Sequence, residues 1–408
     1  MSQRLSKKDL SILIGNSLDH FDTSLYGFLA PVLAPIFFPK YEPIVQLILA
    51  YSILATSLFT RPIGAITFGL IAQALGPIKA LSYSLIGVSI CTVIIGLLPT
   101  YTIVGWLAPL SLIFVRTIQG IFAGGEVTIS KLYIMENKSY IGAFKASYLY
   151  QSSSMVGTIL ASLASWLVIS SKNNEAWRLC FCLGGCTGIF GYFLRRYQVN
   201  DYKDKQNKIF LPNIAPGFGA IWNQKLNILR VAITTIFSHM TYAIPFITMN
   251  SFIPMITTIK LETMMAFNTS LLAVDVMLIP ILGHLSLRYS IAKLMVTSCI
   301  ILAFTIIPLW QGLNNASLSY VTFVRFWFII LGVFFLCPLN LWYKRLLNSS
   351  DQYLLIGIGS SIGATIGHLT PTICLSLWHI TGSSLSISLY IIIIILATIY
   401  AITTVKYN

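Results

Sequence analysis

Residues 15–39 read GNSLDHFDTSLYGFLAPVLAPIFFP, a stretch long enough to cross a bilayer that nevertheless contains carboxylates. A spanning helix needs about 20 mainly apolar residues, because the hydrocarbon core is about 30 Å thick and each residue rises about 1.5 Å. One face of this helix carries four polar side chains at helical spacing, namely Asn16, Asp19, Asp22 and Tyr26. A carboxylate at the membrane centre costs about 2.5–3.5 kcal/mol. This face therefore predicts chemistry inside the membrane as well as anchoring.

The composition of the whole chain is that of a membrane protein. Of its 408 residues, 56% are hydrophobic and only 9% are charged, whereas a soluble domain carries about 25% charged residues. Basic cytoplasmic loops explain the net charge of +14 better than nucleic-acid binding does, because no soluble basic domain is evident. The seven cysteines lie in apolar stretches without metal-ligand spacing, and no nucleotide-binding loop or catalytic constellation stands out. We therefore expect no enzyme activity, no cofactor, no metal and no nucleic-acid partner.

Apolar stretches separated by turn signals predict twelve transmembrane helices. They cover residues 10–37, 44–72, 79–98, 103–130, 141–170, 178–195, 228–254, 263–286, 291–310, 318–341, 353–377 and 384–404. A polar connector divides them into two sets of six, which is typical of transporters built from repeats. The predicted fold is an all-α membrane protein with two six-helix bundles. Its domains are an N-terminal bundle at 1–195, a cytoplasmic connector at 196–227 and a C-terminal bundle at 228–408.

Lysine and arginine are concentrated in alternate connecting segments. When the N-terminus is placed inside, the cytoplasmic segments hold most of the basic residues, and the outer loops hold only Lys40, Lys172, Arg178 and Lys260. Because positive charge is retained on the cytoplasmic side, both termini are expected in the cytoplasm. We expect a multi-pass monomer with the lipid bilayer as its surroundings.

Arg116 lies near the middle of the fourth predicted span. A guanidinium is permanently charged and needs an acceptor, and Asp22 is the natural partner at similar depth. A nearby arginine favours the ionised carboxylate, whereas separation and desolvation favour the protonated one, so the pair predicts a proton switch. Asp19 and Glu126 are further candidates for proton coupling. Their alternatives are hydration at the cytoplasmic interface for Asp19 and bonding to backbone groups for Glu126.

Polar side chains on several spans are candidates for substrate binding. They are Asn16, Tyr26, Gln119, Gln151, His239, Tyr242, Arg325 and His368. Arg325 of the tenth span either binds an anionic substrate group or pairs with Asp275 of the eighth. The two histidines are either ligands or hydrogen-bonded packing residues. Pro245 and Pro371 predict helix breaks, and Arg61, near the inner end of the second span, is a candidate for gating.

Four stretches together resemble one known family. The stretch at 15–39, RPIGAITFG at 61–69, RTIQGIFAGGE at 116–126 and GATIGHLTP at 363–371 are similar to the metabolite:proton symporters of the major facilitator superfamily. That family includes bacterial carriers for proline and betaine, citrate, 2-oxoglutarate, dicarboxylates and shikimate. The resemblance implies the bacterial inner membrane and assigns proton coupling to Asp22 and Arg116. It also matches Glu126 to the acid of the GGE motif and Glu136 to the acid that closes the fourth helix.

The resemblance weakens in the loop after the second span. The family carries a gating motif there of the form G-x-x-x-D-R-x-G-R, whereas residues 69–79 read GLIAQALGPIK. Gly69 and Gly76 of this gating motif are kept, but Gln73, Ala74 and Pro77 replace the charged positions of the family. Coupling is therefore inferred from the charges inside the membrane without the usual gate.

These observations predict a secondary active transporter that takes up a small polar or anionic metabolite together with protons, by alternating access. A carboxylate, an amino acid, a betaine and a carboxylate siderophore all fit the excess of buried cations. The alternatives are an exporter or an uncoupled facilitator, and then a receptor or assembly protein that does not transport.

Overall fold

The structure is a computed structural model that describes residues 7–135, 140–171, 173, 175–186, 188, 218–286, 289–347 and 352–405. In the described residues of the first half, the helices are α1 (Lys7–Phe37), α2 (Pro43–Leu75), α3 (Pro77–Leu97), α4 (Tyr101–Val104), α5 (Leu107–Met135), α6 (Tyr140–Ser171) and α7 (Ala176–Cys186). Those that follow are α8 (Phe218–Asn223), α9 (Lys225–Ala243), a π-helical turn (Ile244–Thr248), α10 (Met249–Ile256), α11 (Leu261–Ser286), α12 (Ile291–Gln311), α13 (Leu318–Leu346), α14 (Gln352–His368), α15 (Thr370–Thr381) and α16 (Ser384–Thr403).

Nine helical segments among the described residues are long and apolar enough to cross a membrane. The 31-residue α1 is outside this set, because the polar face that carries Asp19 and Asp22 lowers its hydropathy. The sixth predicted span is described only as far as α7, and most of the predicted connector lies outside the described residues.

Three predicted spans depart from one continuous α-helix, and each departure has a local cause. Gly105 has a φ of 60°, a left-handed value that glycine tolerates, and it separates α4 from α5. The seventh predicted span changes to a π-helical turn at Ile244–Thr248, where Pro245 cannot donate a backbone hydrogen bond. The eleventh divides at Leu369, and Pro371 lies in the first turn of α15. The helix break predicted at Pro371 is therefore confirmed, whereas at Pro245 the chain stays helical and changes only its hydrogen-bond pattern.

The chain forms two compact units. The first unit comprises Met1–Tyr26 and Thr56–Ala220, and the second comprises Gly27–Ala55 and Ile221–Asn408. The predicted division at 1–195, 196–227 and 228–408 stays a prediction.

Glycines allow close helix packing within each unit. In the first unit, a Cβ on Gly120 or Gly124 of α5 would lie 1.8 or 2.1 Å from a backbone oxygen of α2. In the second unit, Gly359 and Gly363 of α14 approach the backbone of α9 in the same way. Small residues at such crossings let two backbones come within contact distance, and they hold the polar side chains described below in place.

Candidate functional site

Asp22 and Arg116 are joined by two intervening side chains. Asp22 of α1 is 6% exposed and accepts a 2.7 Å hydrogen bond through Oδ2 from the Thr92 hydroxyl of α3. Thr92 in turn accepts one of 2.9 Å from Nε2 of Gln119, and the Gln119 Oε1 accepts one of 2.8 Å from Nη1 of Arg116. We call Asp22, Thr92, Gln119 and Arg116 the buried relay. The predicted partners are thus connected through the relay without a direct ion pair.

The Thr92 hydroxyl can act as a switch within the relay. It has a single proton, yet two acceptors lie within reach, the Asp22 carboxylate and the Val88 carbonyl at 2.9 Å. When Asp22 is ionised, the hydroxyl can donate to it. When Asp22 is protonated, the carboxylic acid can donate to the hydroxyl, which then turns its proton to Val88. The site therefore accommodates both protonation states of Asp22 without a change of rotamer.

Both ends of the relay keep unused hydrogen-bonding capacity. The second carboxylate oxygen of Asp22, Oδ1, has no hydrogen-bond partner in the part of the chain that the structure describes. It faces Gly184 of α7, where an added Cβ would lie 2.8 Å from it. Arg116 is 2% exposed, and its Nε and Nη2 lack hydrogen-bond partners among the described residues. Its guanidinium lies 3.8 Å from the ring centroid of Tyr26, a cation–π contact that stabilises part of the charge.

Asn16 occupies a structural position on the predicted polar face. Its Nδ2 lies within 3.0 Å of three acceptors on α6, which are the Tyr150 carbonyl and the hydroxyls of Ser153 and Ser154. An amide nitrogen carries two protons, so these acceptors already exceed its capacity. Asn16 therefore ties α1 to α6, and substrate binding by Asn16 stays a prediction. The neighbouring candidate Gln151 of α6 is half-buried.

The other predicted coupling and gating residues differ in environment, and two of them lie partly or wholly outside the described residues. Asp19 is 2% exposed, and its role in proton coupling stays a prediction. Arg61 donates a 3.1 Å hydrogen bond to the Thr23 hydroxyl and so links α2 to α1. Gly69 lies within α2, and Gly76, with a φ of 91°, separates α2 from α3. The side chain of Glu126 and all of Glu136 lie outside the described residues.

The second unit holds the remaining substrate candidates. Arg325 of α13 is 1% exposed and donates through Nη2 to Asn268 of α11. His239 of α9 and His368 of α14 lie side by side, with ring centroids 4.4 Å apart, and Nδ1 of His368 is 2.7 Å from the Ala364 carbonyl. Tyr242 follows His239 by about one turn and contacts the ring of Phe246 at 5.2 Å.

Two hydrogen-bond partners of the buried charged side chains, Thr92 and Asn268, could not be identified from the sequence. Thr92 lies in the apolar run VSICTVIIG, where a threonine usually bonds to its own helix backbone. Asn268 is a single amide in a long apolar span, and no spacing connects it to Arg325. Only the packing of α3 against α5, and of α11 against α13, brings these residues to their partners.

Residues 10–215 match the family model described as "Sugar (and other) transporter". The chain is 33% identical over 198 residues to the glycine betaine/proline/ectoine/pipecolic acid transporter of Dickeya dadantii, and the match covers 47% of this chain but only 39% of that protein. It is 30% identical over 337 residues to a putative proline/betaine transporter of Staphylococcus haemolyticus, covering 79% of this chain and 69% of the relative.

Among solved structures, a D-xylose–proton symporter superposes with a TM-score of 0.75 at 12% identity, covering 98% of each chain. This likeness concerns the fold, and it confirms the predicted class: an all-α membrane protein with the twelve-helix major facilitator fold. The predicted family resemblance is confirmed as well, and the relatives are transporters and not enzymes. The chain is thus a multi-pass membrane protein that belongs to the sugar (and other) transporter family of the major facilitator superfamily.

Proposed function

We propose that this protein is a proton-coupled carrier that takes up a small zwitterionic or anionic metabolite across the bacterial inner membrane. It acts as a monomer by alternating access, with both termini in the cytoplasm. Proline and glycine betaine are the first substrates to test, because the matched relatives are named as transporters of these compounds. Both are compact molecules with one carboxylate and one cationic nitrogen.

The observation that carries the proposal is the buried relay. A carboxylate with 6% exposure is costly inside a membrane protein in its charged form, so Asp22 is suited to bind and release a proton. Arg116, reached through Thr92 and Gln119, supplies positive charge that favours the ionised form. Helix movement that lengthens any link of the relay would weaken this effect and favour protonation.

The available energy suffices for concentrative uptake. One charge that crosses a potential of 100 mV gains about 2.3 kcal/mol. That energy corresponds to roughly fifty-fold accumulation of a neutral or zwitterionic substrate. A single titrating site such as Asp22 can therefore drive uptake without ATP.

The experiment measures uptake of radiolabelled proline and glycine betaine by the purified full chain in proteoliposomes. An inwardly directed proton gradient should drive accumulation, and a protonophore should abolish it. The Asp22→Asn variant should lose at least tenfold in gradient-driven accumulation but retain exchange of labelled for unlabelled substrate, because exchange needs no net proton movement. Glu42→Gln is the matched control, since Glu42 is exposed between α1 and α2 and its substitution should leave uptake unchanged.

Three outcomes would count against the proposal. Uptake that ignores the proton gradient would indicate a facilitator, and accumulation only under an outwardly directed gradient would indicate an exporter. Gradient-driven uptake that survives Asp22→Asn would remove the relay from the coupling mechanism.

A further inference from the structure

Two arginines occupy matching places in the two halves of the chain. The tripeptide Phe-Val-Arg occurs at 114–116 and again at 323–325, in α5 and α13. Both guanidinium groups are buried, with 2% exposure for Arg116 and 1% for Arg325. Each guanidinium donates a hydrogen bond to a carboxamide oxygen: Arg116 to that of Gln119, and Arg325 to that of Asn268.

The two arginines differ in their access to negative charge. The relay connects Arg116 to the Asp22 carboxylate. Among the described residues, the hydrogen bonds of Arg325 go to the Asn268 side chain and, at 3.4 Å, to the Met264 carbonyl, and its Nε has no hydrogen-bond partner. Asp275 does not contact it, because Asp275 lies about two turns beyond Asn268 on α11, roughly 10 Å along the helix. Among the described residues, therefore, no carboxylate forms an ion pair with Arg325.

A purely structural role explains Arg325 poorly. A guanidinium cannot release its proton at ordinary pH, and an unpaired buried charge costs several kcal/mol. A neutral donor could tie α13 to α11 through Asn268 at lower cost. Of the five N–H donors of a guanidinium, the two contacts of Arg325 use two. The remaining three can still meet a planar anion with two oxygens.

We propose that Arg325 is the anchor for the carboxylate of the transported molecule, and that Asn268 orients its guanidinium for this contact. The inference rests on the proposed transport function and adds the chemical group that is recognised. Arginine forms paired hydrogen bonds with carboxylates, which give strength and orientation together. A carrier that works by alternating access exposes its binding groups in only part of its cycle, so burial of Arg325 in one conformation is compatible with this role.

The experiment compares acids with their neutral amides on the purified full chain. The probes are proline against prolinamide, and acetate against acetamide, at equal concentration and ionic strength. Binding is read from the midpoint of thermal unfolding, because a ligand that binds the folded state raises it. Proline and acetate should stabilise the wild-type protein, whereas the two amides should bind at least tenfold more weakly.

Three variants locate the effect. Arg325→Gln should weaken binding of proline and acetate at least tenfold. Asn268→Asp, which is nearly isosteric, places a carboxylate of the protein itself against Arg325 and should weaken binding similarly although the arginine remains. Arg345→Gln, at an exposed position of the same helix, should bind as the wild type does.

Wild-type binding of prolinamide as tight as that of proline would overturn the proposal, even if every variant failed to fold. Arg325→Gln with wild-type affinity for proline and acetate would overturn it as well. The proposed transport function is judged separately: acid-specific binding that depends on Arg325, together with no gradient-driven uptake, supports the anchor and refutes the transport proposal. Gradient-driven uptake that does not distinguish proline from prolinamide would support the transport proposal and refute the carboxylate anchor.

Discussion

Gly120 is the position where a single added methyl group tests the packing most directly. It lies in α5 immediately after Gln119 of the relay, and a Cβ at this position would be 1.8 Å from the backbone oxygen of Ser57 in α2. Ordinary contact begins at 3.4 Å, so Gly120→Ala requires the two helices to separate by about 1.6 Å at this point. The Ser57 carbonyl belongs to a helix backbone and cannot rotate away.

The cost follows from that displacement. Overpacking of this kind costs about 1–3 kcal/mol. The 2.8 Å hydrogen bond from the Thr60 hydroxyl to the Thr117 carbonyl bridges the same crossing and would be stretched beyond its range, which adds about 1 kcal/mol. We expect Gly120→Ala to lower the free energy of unfolding by about 2–4 kcal/mol. Uptake should fall too, because Gln119 moves with α5 and its hydrogen bond to Thr92 is lengthened.

The assay is denaturant unfolding of the purified protein in mild detergent, followed by uptake in proteoliposomes. Gly357→Ala is the matched control. Gly357 lies within α14, and apart from its chain neighbours and the adjacent backbone of α14, no described atom lies within 4 Å of the position of its added Cβ. Alanine should therefore stabilise the protein by about 0.4–1 kcal/mol. If Gly120→Ala unfolds like the wild type while Gly357→Ala shows its gain, the close approach of α2 and α5 is refuted.

Two further predictions concern hydrogen bonds between helices. Thr92→Val and Gln119→Leu each break the relay, so the double variant should lose less gradient-driven uptake than the sum of the two single losses. The expected coupling energy is about 0.5–3 kcal/mol. Additive losses, or a Thr92→Ser variant that fails to recover uptake, would contradict the relay. The Tyr51 hydroxyl lies 2.5 Å from the Ser251 hydroxyl in the second unit, and both residues are buried. Tyr51→Phe or Ser251→Ala alone should therefore lower the free energy of unfolding by about 1–3 kcal/mol. The double variant should lower it by less than the sum of the two single effects. If neither single variant changes the free energy of unfolding, this hydrogen bond does not form.

Long apolar runs made the helices predictable, because a chain this poor in charge can satisfy its backbone inside a membrane only by helices or a closed barrel. The helix break before Pro371 was predictable from a local cause, because proline cannot donate a backbone hydrogen bond. The break at Gly105 was not, since it depends on the backbone of this glycine adopting a positive φ, here 60°. Hydropathy carries no information on that angle.

The charged residues at the two ends of the relay were predictable from the sequence, but the link through Thr92 was not. Asp22 and Arg116 stand out in the sequence because buried charges are costly, whereas Thr92 is an ordinary member of an apolar helix. For Arg325 the sequence offered Asp275 as a partner. Asn268 and Asp275 are two turns apart on α11 and share one face, so spacing alone cannot choose between them. The choice depends on the axial position of α13 beside α11, which no local pattern encodes.

The contrast between Arg116 and Arg325 suggests how one repeated feature can serve two purposes. A permanent charge inside a membrane protein must be balanced, and the source of the balancing charge determines what the arginine can do. Arg116 is connected to an acid of the protein, and we propose that this pair responds to protons. Arg325 is held by an amide, so its charge is available to an anion from outside. Exchange of Asn268 for aspartate would give Arg325 an internal acid as well, and the proposed carboxylate site should then close without any change in the helices that carry it.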